Sequence, residues 1–342
     1  MFLGIEIGGT KLQVGVGSGQ GADLAALVRA DVVPQHGAAG ILRQIQKLAS
    51  PLIAAHRVER IGIGFGGPVD ARRGRVVKSH QIAGWDDFLI GDWCREAFGL
   101  PVSLGNDCDA ATLAEARFGA GQDRESVFYV TVGTGVGGGF VSNGQLMGRD
   151  RPAISEIGHL RPGLHADQPE ATVESLASGW GIAAAAQERI SGNMRAFPNF
   201  RCNDAALDGV ELKRKLADAR EADREHAADL MERCRHNPDQ LTGAMVAQAA
   251  EGGNLLAQGV IDHACQVLGW AIAQMITLLA PEVVIVGGGV SSMGDELFLT
   301  PVRREVARYV FPPLAGSYTI QPAALGETVV VHGAILLAAG RW

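Results

Sequence analysis

The sequence predicts an α/β protein of two lobes built on a duplicated plan, and three observations carry that expectation. At 342 residues the chain is long enough for two compact lobes with ample core. Apolar residues make up 47% and charged residues 20%, with 46 glycines, the balance of a soluble α/β protein rather than a disordered one. A strand, glycine turn, strand pattern occurs twice, at residues 3–16 and again at 127–141. Two such hairpins point to duplicated halves facing one nucleotide.

In the first hairpin Leu3, Ile5 and Ile7 alternate with Gly4, Glu6 and Gly8, the two-residue period of a half-buried strand, and Leu12, Val14 and Val16 resume it. Between them stand Gly8, Gly9, Thr10 and Lys11. The glycines let a ligand approach bare N–H groups, while the hydroxyl and ammonium add donors for anionic oxygens, so the turn reads as a phosphate cradle. A plain hairpin turn is the bland alternative. Glu6 in an apolar strand argues against it, because a carboxylate there could hold magnesium near bound phosphates. The second hairpin runs from an apolar strand over 127–132 through Gly133, Thr134 and Gly135 to a glycine-rich return over 136–141.

The chain between the hairpins reads as an amphipathic helix over 39–56, a strand over 61–65, a short helix over 92–98 and a strand over 101–104. The first strand ends in Gly66, Gly67 and Pro68, either an ordinary sharp turn or backbone left open to a ligand. The second delivers Asn106 and Asp107 ahead of a helix over 110–118. Either residue could be a helix N-cap, and the pair could equally supply a base for a hydroxyl proton and an amide to orient it. Past the second hairpin, Glu156, His159 and Glu174 are either solvated loop residues or hydrogen-bond partners converging on a polyol. Ser178 and Gly179 open a further helix.

Residues 189–254 are dense in charge with apolar residues at helical intervals, and are expected to form a solvated helical insertion. A long apolar helix over 254–279 then leads through Pro281 to a buried strand over 283–286 and to Gly287, Gly288 and Gly289. These three glycines suit flat packing against a purine or ribose, and also mere close helix–strand packing. A helix over 329–339 returns to the first lobe. The expected division is residues 1–105, completed by about 325–342, as the small lobe and 106–324 as the large one, with the insertion at about 190–250.

A net charge of −7 and the lack of a basic stripe with aromatics disfavour nucleic acid as partner. The apolar run over 271–286 is broken by Gln274, Pro281 and Glu282, so no membrane span is expected. The early strand leaves no room for a signal peptide, which places the protein in the cytoplasm. The five cysteines lack metal-ligand spacing and read as reduced thiols.

Taken together, the motifs resemble the ROK family of sugar kinases (repressor, open reading frame, kinase), whose fold is that of the two-lobed actin-like ATPases, ribonuclease H-like in each half. The resemblance rests on Gly4-Ile-Glu-Ile-Gly-Gly-Thr-Lys11, Gly64-Phe-Gly-Gly-Pro-Val-Asp70, Leu104-Gly-Asn-Asp107, Thr131-Val-Gly-Thr-Gly-Val-Gly-Gly138 and Val286-Gly-Gly-Gly-Val-Ser291, with Trp85 in a family-like position. It implies ATP- and Mg²⁺-dependent phosphorylation of a hexose hydroxyl, commonly at C6, by a homodimer. Asp107 would be the general base, and Asn106, Glu156, His159 and Glu174 would hold the sugar beside Gly66 and Gly67. Lys11, Thr134 and the glycine turns would neutralise the phosphates, and Gly287 to Gly289 would take the adenosine. One departure stands out. Many members carry a CxCGxxGCxE cluster after the Glu-x-Gly-His segment, which binds a structural zinc with that histidine, whereas 160–174 here holds no cysteine. His159 and His165 cannot complete a tetrahedral set, so zinc is not expected. The competing reading is a sugar sensor acting through protein contacts at the insertion. Direct DNA binding is disfavoured, because the chain begins at the phosphate strand where ROK repressors carry a helix-turn-helix. A polyphosphate donor lacks a supporting basic track.

Overall fold

The structure is a computed structural model that describes residues 1–79, 81–148, 151, 153–163, 168–191 and 224–341. His165, Cys202 and most of the expected insertion, residues 192–223, lie outside the described residues.

Two five-stranded sheets share one plan. In the first, β1 (Phe2–Ile7) pairs antiparallel with β2 (Lys11–Gly17), which pairs with β3 (Leu24–Asp31) at the edge. On its other side β1 runs parallel to β4 (Arg60–Phe65), and β4 runs parallel to β7 (Val102–Asn106). A small hairpin, β5 (Val69–Asp70) with β6 (Arg75–Val76), lies between them in the chain. The second sheet repeats the pattern with β8 (Ser126–Val132), β9 (Val136–Ser142), the edge strand β10 (Gln145–Leu146), β11 (Val283–Gly287) and β12 (Thr319–Pro322). The duplicated hairpins expected from the sequence are therefore the centres of duplicated sheets. The edge strand β3 and strand β12 carried no clear alternation, since a half-exposed edge needs no continuous apolar face.

Helices cover both sheets. α1 (Gly37–His56) and α2 (Ile90–Phe98) bury Ile41, Ile45, Ile90 and Cys94 in the core of the first sheet. Against the second sheet lie α4 (Val173–Ala177), α5 (Gly179–Ile190), α6 (224–233), α7 (Gly243–Glu251), the long α8 (Leu255–Leu279) and α9 (Thr300–Tyr309). Their apolar faces meet in one cluster, and each fully buried Leu, Ile or Val contributes about 1.5–3 kcal/mol.

Between the sheets lie α3 (Asp107–Phe118) and α10 (Val329–Ala338). α10 packs on β1 and β4, and α3 packs on β8 and β9. Their approach is backbone-close. A Cβ on Gly62 would fall 1.8 Å from the Ala334 carbonyl oxygen, and one on Gly333 would fall 1.8 Å from that of Ala110. Only glycine admits this contact.

One expectation needs correction. Residues 189–254 read as solvated helices, yet Leu230, Cys234, Val246, Ala249 and Ala250 are buried in the second-sheet core. Asn254, the N-cap of α8, donates from Nδ2 to the His226 carbonyl (2.9 Å) and to Asp229 Oδ2 (2.8 Å), tying α6 to that core. The charges occupy the outer faces of these amphipathic helices, and sequence density of charge does not reveal what the inner face meets. Among the described residues no helix is long and apolar enough to cross a membrane, and Cys94, Cys108, Cys234 and Cys265 are free and buried.

Candidate active site

The end of β7 and the start of α3 lie at the centre. Asn106 is the N-cap: its Oδ1 accepts from Cys108 N (2.7 Å) and Asp109 N (3.4 Å), satisfying amides the helix leaves unpaired. Its Nδ2 donates to the Gly67 carbonyl (3.0 Å), fixing the turn after β4. With the cap supplied by its neighbour, Asp107 is spared that role. Oδ1 accepts from Cys108 N (2.9 Å), while Oδ2 stands 3.4 Å from where a Gly66 Cβ would be. That same point lies 3.3 Å from the Ile7 carbonyl oxygen and 3.7 Å from Gly8 Cα. Of the two residues at this junction Asn106 is the cap, and Asp107 turns its Oδ2 toward Gly66.

Burial pushes the Asp107 carboxyl up to about 6; the Cys108 N–H opposes this, and the charges of Glu6 and Glu156 add to it. Asp109, two positions further along the helix turn, is pushed up to about 7 by burial and by Asp107 and Glu156. Nothing in the spacing marked Asp109, because a second acid in a helix's first turn is ordinary.

Around the first glycine turn the Gly8 N–H closes onto the Lys11 carbonyl (3.0 Å), and Thr10 is exposed. Lys11 Nζ lies 3.4 Å from Glu6 Oε1 and donates to the Glu327 carbonyl (3.3 Å) just before α10. Gln13 Nε2 donates to Glu6 Oε2 (2.6 Å) and to the same carbonyl (2.8 Å), leaving its own Oε1 buried and unpartnered. Burial raises the Glu6 carboxyl, and Lys11 counteracts the rise. Gln81 reaches over the turn, its Oε1 standing 1.5 Å from where a Gly9 Cβ would be. Gly8, Gly9, Gly66, Ser79, Gln81 and Trp85 line a pocket here. Trp85 is buried edge-on against Phe65, with ring centroids 5.2 Å apart, and forms part of that wall.

The second turn is closed by Gly133 N–H onto the Gly135 carbonyl (2.9 Å), with Thr134 exposed. Glu174, on the capped first turn of α4, accepts from Val136 N through Oε2 (3.0 Å). The turn Ile157–His159 presses on the same hairpin, since a Gly158 Cβ would meet the Val136 carbonyl oxygen at 2.0 Å. Burial raises the Glu156 carboxyl; His159 opposes the rise and Glu174 adds to it, so the three groups sense one another. Gly288, at φ +90°, would place a Cβ 2.5 Å from the Val132 carbonyl oxygen, which brings Gly287 to Gly289 against this turn.

The N-terminus of α3 joins these parts. Asp107 looks toward the first turn, while Cys108 Sγ lies 2.5 Å from where a Gly137 Cβ would be on the return strand of the second hairpin. Asn106, Asp107, Gly66, Gly67 and Gly8 gather at the start of α3, while Glu174, with Glu156 and His159 near it, lies against the second turn. Gln13, Gln81 and Asp109 join them without any sequence signal that singled them out.

Repeated sheets with a glycine turn on each side of α3 define a two-lobed actin-like ATPase fold. The chain matches the ROK family model over residues 2–341. It is 28% identical to a glucokinase of Thermotoga maritima over 334 residues, 97% of this chain and 95% of that protein. It is 29% identical to a glucokinase of Halalkalibacterium halodurans over 342 residues, 97% of this chain and 93% of that one. Its fold superposes with TM-score 0.76 on a ROK family glucokinase from Streptomyces griseus solved with glucose and AMPPNP, at 29% identity and 99% coverage of both chains. This chain belongs to the ROK family.

Proposed function

We propose that this ROK-family sugar kinase transfers the γ-phosphoryl group of ATP to the C6 hydroxyl of a hexose or N-acetylhexosamine, with Asp107 as general base. The observation that carries the reading is the position of Asp107 Oδ2 beside Gly66 and the first glycine turn, on a carboxyl pushed up to about 6. Such a group is ionised at neutral pH yet basic enough to take a hydroxyl proton.

In this reading the sugar lies beside Gly66 and Gly67, held by Asn106, Glu156, His159 and Glu174. Asp107 Oδ2 takes the hydroxyl proton as the oxygen attacks the γ-phosphorus, and the bond from that phosphorus to the β–γ bridging oxygen breaks to leave ADP. Lys11, Thr10, Thr134 and the turns Gly8–Gly9 and Gly133–Gly135 meet the phosphate charge, while Gly287 to Gly289 receive the adenosine. Phosphoryl transfer depends chiefly on such placement and charge neutralisation. The oxygen donors present suit Mg²⁺: Glu6 lies near enough to raise Asp107, and the orphaned Gln13 Oε1 adjoins the residues Glu6 bonds. Glu6 would hold the ion, which when bound neutralises phosphate charge. Closure of the small lobe, residues 1–105 with about 325–342, over 106–324 would exclude water. The enzyme is read as a homodimer, as its family resemblance implies.

The test is coupled ADP release across a panel of hexoses and N-acetylhexosamines, with wild type beside Asp107→Ala. Turnover on one sugar that falls about 10²- to 10⁴-fold in the variant is expected. Equal turnover in both proteins overturns the role given to Asp107.

A further inference from the structure

Trp180 stands apart among the described tryptophans. Trp85, Trp93 and Trp270 are buried or half-buried, whereas Trp180 is 49% exposed at the second position of α5. A lone exposed aromatic needs no explanation in itself, so its surroundings decide the matter.

Those surroundings are the least encumbered backbone of the site. Gly179 N donates to the Gly133 carbonyl (2.8 Å), which docks the start of α5 on the second glycine turn. A Cβ on Gly179 would come 3.1 Å from that carbonyl oxygen and 3.9 Å from Val290, the residue after Gly289. The start of α7 closes in from another side, for a Gly243 Cβ would lie 2.6 Å from the Gly179 carbonyl oxygen. Gly133 in turn has only Gly289 N within range, at 3.9 Å. Four elements therefore meet at glycines, and the nearest atoms between them are mostly backbone.

The direction of Trp180 follows from helix geometry. Seven residues span nearly two turns, so Trp180 and Gln187 share a face of α5. Gln187 Nε2 donates to the Pro238 carbonyl (2.7 Å), in the segment that leads into α7. Trp180 thus lies on the α7 side, at the end of the helix where Gly133, Gly243 and Gly289 gather.

We propose that Trp180 is the base platform of the donor subsite, its indole stacking on the purine of the nucleotide whose phosphates lie in the Gly133–Gly135 turn. The assignment rests on the ATP-dependent reading above and adds to it a residue that controls donor affinity. A purine offers a flat apolar face to an indole, and the glycine junction lets that face approach. Trp180 is a positioning residue for the donor and takes no part in proton transfer.

The test is calorimetric titration of ADP into wild type, Trp180→Ala and Trp180→Phe, with ATP and sugar kinetics alongside. Loss of one base–aromatic stack weakens nucleotide binding about tenfold. Trp180→Ala should therefore weaken ADP and raise KM for ATP by about that factor, with kcat and KM for the sugar held. Trp180→Phe should recover most of the loss. Unchanged ADP affinity in Trp180→Ala, an equal loss in Trp180→Phe, or a parallel loss of sugar affinity overturns the proposal. Failure of wild type itself to bind ADP overturns the nucleotide reading beneath it, and is distinguishable because it shows before any variant is compared.

Discussion

The two glycine turns occupy equivalent places in equivalent sheets, yet they are wired differently. The first is set in charge: Lys11 and Gln13 each bond Glu6 and the carbonyl of Glu327, whose carboxylate pairs with Arg29 at 2.9 Å. The second is set in backbone: Gly133 holds Gly179, Val136 holds Glu174, and Gly288 fits beneath Val132. A duplicated hairpin has thus been set in two different surroundings, one of charged side chains next to Asp107 and the other of closely packed backbone. The topology is shared, and the neighbours supplied by distant chain segments make the difference.

The sharpest test of this contrast removes one donor from each turn. Lys11→Met should lower kcat about 10²- to 10³-fold, the usual cost of losing a preorganised charge at the reacting centre. Thr134→Val should cost about five- to tenfold, the worth of one ordinary hydrogen bond. Steady-state kinetics with saturating sugar reads both, and equal losses would break the comparison.

A second pair of variants addresses packing. Gly288→Ala forces a Cβ onto the Val132 carbonyl at φ +90° and should lower stability by about 1–3 kcal/mol in denaturant titration. Gly9→Ala meets only the flexible end of Gln81 and should cost less than about 0.5 kcal/mol. If Gly9→Ala proves the more damaging, the first turn is the rigid one.

The smallest effect is expected in pH dependence. The Asp107 carboxyl is raised from 3.8 to about 6, so the folded protein binds its proton more tightly than the unfolded chain does. Its contribution to stability is therefore full below about 3.8 and is lost as pH rises through about 6. Activity runs the opposite way, with kcat/KM falling as the base protonates below about 6. Glu156→Gln removes a negative charge that raises Asp107, and should move this acid limb to lower pH; a shift upward would contradict the geometry.

How far the site was legible follows from where its signals lie along the chain. Each hairpin is contiguous, so alternation and paired glycines announce it locally. Asn106 and Asp107 are adjacent as well, but which of them caps depended on the geometry of a single helix start. Gln81 was not legible, because its place over Gly9 is set by the loop that carries it and not by any spacing. The same holds for the start of α5, where Gly179 meets Gly133 and Gly243 from separate elements. α6 and α7 were misread as solvated for a related reason: charge on one face says nothing about what covers the other.

By itself, then, the sequence determined the duplicated α/β plan, the two glycine turns and the neighbouring polar pair Asn106 and Asp107. All of these are local patterns of period, turn chemistry and side-chain type, readable over a few residues. Tertiary structure alone decided that Asn106 caps α3 in place of Asp107, that Glu174 braces the second turn, that α6 and α7 are core, and that α10 and α3 separate the sheets. These are contacts between residues far apart in the chain, and their energies depend on packing and desolvation that exist only once the chain has folded.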